Sequence, residues 1–261
     1  MRILFIGDVV GRTGRGAVAR ALPELRKTHA VDLVVANAEN SAAGIGATPS
    51  TLQELRRHGV DLFTLGNHTW RKKELLDAMD GLACAARPAN FPEGVPGRGA
   101  VTATLADGRK AAVLNLLGRV YMDPADCPFA AADRLLPELR AVTPVILVDF
   151  HAEATSEKAA LGWHLDGRCS AVIGTHTHVQ TADEWILPGG TAFLSDAGMT
   201  GPTDSIIGMK RGPILEKFVR GIPGKFEVAE GPAVFSAVLL EVDDTTGKAL
   251  SITRILLRDP K

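Results

Sequence analysis

Short apolar runs alternate with amphipathic helical patterns along the first part of the chain. The pattern predicts, in this order, a strand at residues 3–6, a helix through Val18, Leu22 and Leu25, a strand at 32–36, a helix at 48–57, a strand at 62–65 and a helix at 71–79. The middle helix has a plausible cap in Thr48, with Pro49 in its first turn. A strand–helix–strand rhythm implies a largely parallel sheet, whose functional sites lie at the carboxyl ends of the strands.

The second half of the chain has a different pattern. Residues 101–105 and 111–117 flank a polar turn and predict a β-hairpin, as do residues 233–242 and 249–257. Buried strands are expected between the hairpins, at 144–148, 170–173 and 191–194. Proline and glycine predict a loop at 88–99 and a long irregular segment at 198–224, of the kind that lines a site.

Parallel units early and antiparallel pairs late fit one α/β architecture. We expect two mixed β-sheets packed face to face as a sandwich flanked by helices. At 261 residues the chain is long enough for one large core, so we expect a single domain over residues 1–261.

Composition and charge argue against several classes of protein. With 29 basic and 30 acidic residues the net charge is -1, which gives no sign of a general nucleic-acid-binding or membrane-binding surface. The three cysteines lack close metal-binding spacing and fit a reduced compartment. The first apolar run is too short for a signal peptide, and no stretch approaches the roughly 20 apolar residues of a membrane span. We therefore expect a cytoplasmic protein.

Two histidines one residue apart, His176 and His178, follow the apolar run 171–173. If the backbone stays extended, their imidazoles point to the same side and offer two neutral nitrogen ligands to a metal. Such a pair is a weak signal by itself, because two polar residues in a surface loop look the same.

Other strand ends carry ligand-type residues too. They are Asp8 after the first strand, Asn37, Glu39 and Asn40 after the second, Asn67 and His68 after the third, and Asp149 and His151 after the strand at 144–148. Each has a simple alternative in isolation, such as a helix cap, a turn residue or a buried core histidine. Their concentration at successive strand ends favours a metal site.

The donor types indicate which metals fit. Oxygen and nitrogen donors without sulfur favour Mn²⁺, Fe or Zn²⁺ over a thiolate site. The donors outnumber the needs of one ion, so we expect two ions about 3.5–4 Å apart that share a carboxylate.

The ordered series Gly7-Asp8, Gly66-Asn67-His68, His151 and Gly174-Thr175-His176-Thr177-His178 resembles the calcineurin-like metallophosphoesterase superfamily. Two departures stand out: Val9-Val10 follows Asp8 where the usual Asp-x-His has a histidine, and Glu39-Asn40 replaces the usual Gly-Asp. These departures, with residues 7–12, 149–158 and 195–201, are similar to the YmdB branch of the superfamily.

The resemblance implies a dinuclear iron or manganese phosphodiesterase, with zinc as a further option. It also implies cyclic nucleotides as substrates, notably 2′,3′-cyclic AMP. One ion would be held by Asp8, Glu39, Asn40 and His178, and the other by Glu39, Asn67, His151 and His176, with Glu39 as the bridge. A metal-activated hydroxide would attack phosphorus, and His68 would protonate the leaving oxygen. A third metal ligand and an orienting group are the other roles open to His68.

Two other functions stay open at this point. An amidohydrolase-type metal hydrolase also uses His-x-His, but near the first strand of a barrel. A regulatory or scaffold protein could retain the metal site for structure. Arg12, Arg119 and Lys158 are candidate phosphate contacts, with solvated surface charge as the alternative, and the sequence leaves a homo-oligomer open.

Overall fold

The computed structural model of the protein describes residues 1–259, which form two β-sheets and flanking helices. The α-helices are α1 (Gly11–Thr28), α2 (Pro49–Arg57), α3 (Lys73–Ala78), α4 (Pro128–Val142), α5 (Thr155–His164) and α6 (Arg211–Arg220). The strands are β1 (Arg2–Ile6), β2 (Asp8–Val9), β3 (Leu33–Asn37), β4 (Leu62–Thr64), β5 (Ala85–Ala86), β6 (Ala100–Thr104), β7 (Lys110–Leu117), β8 (Ile146–His151), β9 (Ala171–Thr175), β10 (Trp185–Ile186), β11 (Ala192–Leu194), β12 (Met199–Pro202), β13 (Ala233–Val242) and β14 (Ala249–Arg258).

Both sheets are mixed. The first has the order β2-β12-β13-β1-β3-β4-β5, with β14 also paired to β13. Its strands β1, β3, β4 and β5 are parallel, whereas β13 runs antiparallel to β1 and β14. The second has the order β10-β11-β9-β8-β7-β6, with parallel pairs from β7 to β11 and antiparallel strands at both edges.

The alternation of side chains along the strands builds three apolar layers. Ile3 and Phe5 of β1 point to the second sheet, where they share a buried cluster with Ile173 of β9. Leu4 and Ile6 point the other way, against α1 and α2. The outer face of the second sheet packs on α4 and α5 through residues such as Val148. The fold is therefore the expected sandwich of two mixed sheets flanked by helices.

Most predicted elements are present, with bounds shifted by a few residues. Thr48 caps α2 as expected, and its side chain and that of Thr51 form a reciprocal capping box. The predicted helix at 71–79 is wrong in detail, because α3 covers only part of it and short 3₁₀ turns flank α3. The segment 198–224 is less irregular than expected, since it contains β12 and α6.

The architecture decides one alternative of the sequence analysis. It is a sandwich and not a barrel, so the amidohydrolase alternative is wrong. Among residues 1–259, no helix combines the length and the apolar character that a membrane span requires.

Candidate metal centre

Asp8 lies at the bottom of the centre and is fully buried. Asp8 belongs to the short strand β2 and pairs with Met199 of β12. It does not cap α1, because the N-cap residue of that helix is Val10. Its Oδ2 accepts a hydrogen bond from the His176 amide at 3.1 Å. Its Oδ1 is buried and has no hydrogen-bond partner within residues 1–259. Burial raises the pKa of Asp8, so this orphaned oxygen is stabilised only by a cation or a proton.

Glu39 and Asn40 follow β3 and are almost completely buried. Glu39 Oε1 lies 3.2 Å from His151 Nε2 and 3.1 Å from His68 Nδ1. Burial alone would raise the pKa of Glu39, but His151 and His68 outweigh it and hold that pKa well below its usual range. The Glu39 carboxylate therefore carries its charge in the middle of the centre.

His151, at the end of β8, has three close neighbours at one ring nitrogen. Its Nε2 lies 3.1 Å from Asn67 Oδ1, 3.1 Å from His176 Nδ1 and 3.2 Å from Glu39 Oε1. One ring nitrogen offers at most one proton, so hydrogen bonds alone cannot satisfy these neighbours. A shared cation would satisfy them, because ligand atoms converge on a metal in this way.

The charges around His151 and His176 also favour a bound cation. Burial lowers the pKa of His151, but Glu39, Asp8 and Asp149 outweigh it and raise that pKa to about 9. Burial and the neighbouring His151 lower the pKa of His176 to about 3. The carboxylates thus attract one positive charge, and a metal cation would supply it while leaving both imidazoles neutral.

Glycine is required at position 66, where the chain enters the centre just after β4. A Cβ on Gly66 would collide with Glu39 Oε2 and with the imidazole of His151. The glycine therefore lets the following Asn67 and His68 approach these two side chains closely.

The backbone at His176 and His178 is not extended, so the premise that made the pair point to one side is wrong. β9 ends at Thr175, and the two histidines have φ values of 96° and 66°. His176 reaches His151, whereas His178 Nε2 lies 3.3 Å from Asn40 Nδ2 and 3.8 Å from Asp8 Oδ1. The two imidazoles therefore face different neighbours.

A buried ion pair holds this unusual loop. Asp196 Oδ2 accepts hydrogen bonds from the amide of Thr177 at 3.1 Å and from its hydroxyl at 2.6 Å. The same oxygen lies 2.8 Å from Lys158 Nζ, and both charged side chains are at most 2% exposed. Lys158 is therefore neither a phosphate contact nor a surface charge. Its partner carboxylate fixes the residue between the two histidines.

A second buried network lies behind His151. Asp149, also fully buried, accepts hydrogen bonds from Thr64, from Asn37 Nδ2 at 2.9 Å and from Thr175 Oγ1 at 2.7 Å. Thr175 Oγ1 lies 2.9 Å from His151 Nδ1. The sequence analysis placed Asn37 and Asp149 at strand ends without giving them this role.

The centre opens to solvent through a cavity of about 260 Å³. Its lining includes Glu39, His68, His176 and His178. Glu153, which the sequence analysis did not identify, lines it too, with Oε2 3.2 Å from His176 Nε2. The position of Glu153 two residues after His151 was the signal that could have found it.

The structure thus brings the seven candidate metal ligands and His68 to one place, whereas Arg12 lines a different cavity and the Arg119 amide donates to Glu157. Glu39, Asn67 and His176 each contact His151 Nε2. Asn40 contacts both Glu39 and His178, and Asp8 Oδ1 lies 3.8 Å from His178 Nε2 and 3.9 Å from His151 Nδ1. Potential ligand atoms of Glu39, His151 and His176 all lie within 4.8 Å of one another. The donor set and the orphaned Asp8 oxygen fit a metal centre.

A two-sheet sandwich with such a cluster at its strand ends defines the metallophosphoesterase class. Residues 4–255 match the model of a family described as YmdB-like protein, and the chain belongs to this family. It is 52% identical over 259 residues to the 2′,3′-cyclic-nucleotide 2′-phosphodiesterase of Bacillus subtilis, covering 99% of this chain and 98% of that protein. A putative phosphatase/phosphodiesterase of Mycoplasma genitalium is 36% identical and covers all of this chain and 95% of its own length.

Solved structures agree with this assignment. A hypothetical protein from Thermus thermophilus superimposes with a TM-score of 0.93 at 44% identity, with complete coverage of both chains. A phosphatase from Mycoplasma pneumoniae gives the same TM-score at 34% identity and covers 99% of this chain and 93% of that one. The fold and the enzyme class expected from the sequence, a hydrolase of the phosphodiesterase type, are confirmed.

Proposed function

We propose that the protein is a dinuclear metal-dependent phosphodiesterase that opens 2′,3′-cyclic nucleotides at the 2′ oxygen. The observation that carries this proposal is the central position of the Glu39 carboxylate. It contacts His151 and His68 directly and is 3.1 Å from Asn40, which connects it to His178. A carboxylate between two sets of ligands is what a bridged pair of ions requires.

Two groups of side chains would hold the ions, which we expect to be iron or manganese. Asp8, Glu39, Asn40 and His178 form one group, and Glu39, Asn67, His151 and His176 form the other. When bound, such ions acidify a water molecule and neutralise negative charge on the phosphoryl group. Glu153 borders the second group and would limit the room next to His176.

His68 is the proposed proton donor. Its Nδ1 lies 2.7 Å from Asn40 Oδ1 and is occupied by that contact. Its Nε2 is therefore the nitrogen that can give a proton to substrate, and the side chain lines the cavity. During ring opening, a water oxygen bonds to phosphorus and gives up one proton to solvent, the bond from phosphorus to the 2′ oxygen breaks, and the 2′ oxygen takes the proton from His68 Nε2, which solvent then replaces. The product is a nucleoside 3′-monophosphate.

The substrate class rests on the Bacillus subtilis relative, whose name specifies both the cyclic nucleotide and the 2′ position. The extent of the match, nearly the whole length of both chains, supports the transfer.

The test is turnover of 2′,3′-cyclic AMP by metal-loaded protein, with separation of 2′-AMP and 3′-AMP by chromatography. We expect 3′-AMP as the product, and loss of turnover after chelation. 3′,5′-cyclic AMP, RNA and phosphomonoesters serve as comparison substrates. Absence of turnover in protein with both metal sites filled would instead favour a regulatory or scaffold protein that retains the metal for structure.

A further inference from the structure

A tight turn at Ile206–Met209 borders the cavity of the metal centre. Ile206 and Met209 exchange both backbone hydrogen bonds, at 2.9 and 3.0 Å, so Ile207 and Gly208 are the two central residues of a hairpin turn. Their φ values are 44° and 99°. Two-residue turns with positive φ at both central positions favour Asn-Gly, Asp-Gly or Gly-Gly.

The local conformational preference of isoleucine disfavours this turn. A β-branched side chain at positive φ is a genuine outlier, because the branched Cβ crowds the backbone. The surrounding structure imposes the conformation: Gly208 donates to Ser205 Oγ at 2.9 Å, and Ala229 donates to the Gly208 carbonyl at 3.0 Å. Strain that the surroundings hold in place is characteristic of functional sites.

The backbone of Ile207 has one evident role. Its carbonyl oxygen lies 2.9 Å from His178 Nδ1 and fixes the ring, so that Nε2 faces Asp8 and Asn40. Any residue supplies a carbonyl, however, and asparagine or glycine would do so without strain. The contact with His178 therefore does not explain why the side chain is isoleucine.

The side chain has its own place in the site. Ile207 is 53% exposed, and it lines the cavity together with Met209. Most of the other lining groups are carboxylates, an amide and imidazoles, which suit a phosphoryl group and metal ions. Ile207 and Met209 supply apolar surface at the cavity mouth, and a nucleoside attached to a cyclic phosphate has apolar ring faces that need such a surface.

We propose that the Ile207 side chain packs against the nucleoside of the substrate and so favours cyclic nucleotides over smaller cyclic phosphodiesters. This inference rests on the proposed function and adds a specificity-determining residue to it. The local strain at Ile207 is retained because the contact with the nucleoside requires a branched apolar side chain at that position.

The experiment compares kcat/KM for 2′,3′-cyclic AMP with kcat/KM for glycerol 1,2-cyclic phosphate, which has the cyclic phosphodiester but lacks the base. The variant is Ile207→Asn, which suits the turn and keeps the carbonyl oxygen at His178. Ile222→Asn is the matched control, because Ile222 is exposed to a similar degree, 51%, and lies outside the residues that line the cavity.

In Ile207→Asn we expect the ratio of the two kcat/KM values to fall at least about tenfold. The melting temperature should stay at or above that of the unmodified protein, because the strain is relieved. Ile222→Asn should leave the ratio unchanged.

An unchanged ratio in Ile207→Asn would overturn the inference. If kcat/KM fell equally on both substrates, the ratio would also stay the same, and the loss would indicate an effect through His178 alone. If the unmodified protein cleaves neither substrate, the proposed function itself fails. The two failures are therefore distinguishable.

Discussion

Thr175 joins Asp149 to His151 through a single hydroxyl group. Its Oγ1 lies 2.7 Å from Asp149 Oδ1 and 2.9 Å from His151 Nδ1. The hydroxyl has one proton, which it donates to the carboxylate, so it accepts the proton on His151 Nδ1. In the neutral imidazole, Nε2 then has a lone pair that faces Glu39, Asn67 and His176. The network behind His151 thereby leaves Nε2 free to bind a metal, as the proposed centre requires.

The first prediction follows from this hydroxyl. Thr175→Val keeps the shape of the side chain but removes the link between Asp149 and His151, so the ring loses its orienting partner. We expect metal affinity to fall about 10–100-fold, measured by titration of metal-free protein. Thr143→Val is the control: Thr143 is also buried and has two hydrogen bonds, but with Lys110 and Val145. Equal affinities in the two variants would refute the role of Thr175.

The second prediction concerns the close approach at Gly66. Gly66→Ala places a methyl group against Glu39 and His151, which must then move apart. We expect the variant to bind less metal and to lose turnover. Gly81→Ala tests whether any added methyl group does this, because a Cβ there has nothing within 4 Å among the described residues. Wild-type metal content in Gly66→Ala would show that the predicted collision is relieved elsewhere.

The third prediction concerns the buried pair of Lys158 and Asp196. Lys158→Met leaves the Asp196 carboxylate buried without its cation, which costs about 3–5 kcal/mol in the free energy of unfolding. Arg254→Met, in the partly exposed pair of Arg254 with Glu184, should cost at most about 1 kcal/mol. Chemical denaturation measures both losses. Similar losses in the two variants would mean that the buried pair stabilises the fold no more than a partly exposed pair does.

The strand ends that meet at the candidate site were easier to predict from the sequence than the loops between them. Asp8, Glu39 and His151 could be identified because they follow apolar runs that become neighbouring parallel strands. The side-chain type and the position after an apolar run can both be read directly from the amino-acid sequence. The assembly of these ends then follows from the fold class.

The left-handed backbone at His176 and His178 could not be predicted, because histidine rarely adopts it without a long-range cause. That cause is Asp196, which holds Thr177 from a later segment and is itself paired with Lys158. Ile207 is a second case, since its local preference opposes the turn that it occupies. Tertiary contacts override local preference at these positions, and sequence periodicity does not report such contacts.

The fourth prediction separates two roles of His68. As a proton donor it must carry a proton at Nε2, whereas as an orienting group it needs only the contact of Nδ1 with Asn40 Oδ1. His68→Asn can keep an amide donor near Asn40 but has no acid to give. We expect kcat to fall about 100-fold or more in both His68→Asn and His68→Ala, with little change in metal content.

Recovery of kcat in His68→Asn would assign His68 an orienting role. Loss of metal in both variants would make it a ligand, and the proton-donor role would then be wrong.

The central claim is that Glu39 joins two ions in one centre. Its most direct test is the metal content per chain, by mass spectrometry of the elements, in manganese- or iron-loaded protein and in Glu39→Ala. The account predicts two ions per chain in the unmodified protein and depletion of both in the variant. Fewer than two ions in the fully loaded protein, or full occupancy in Glu39→Ala, would contradict it.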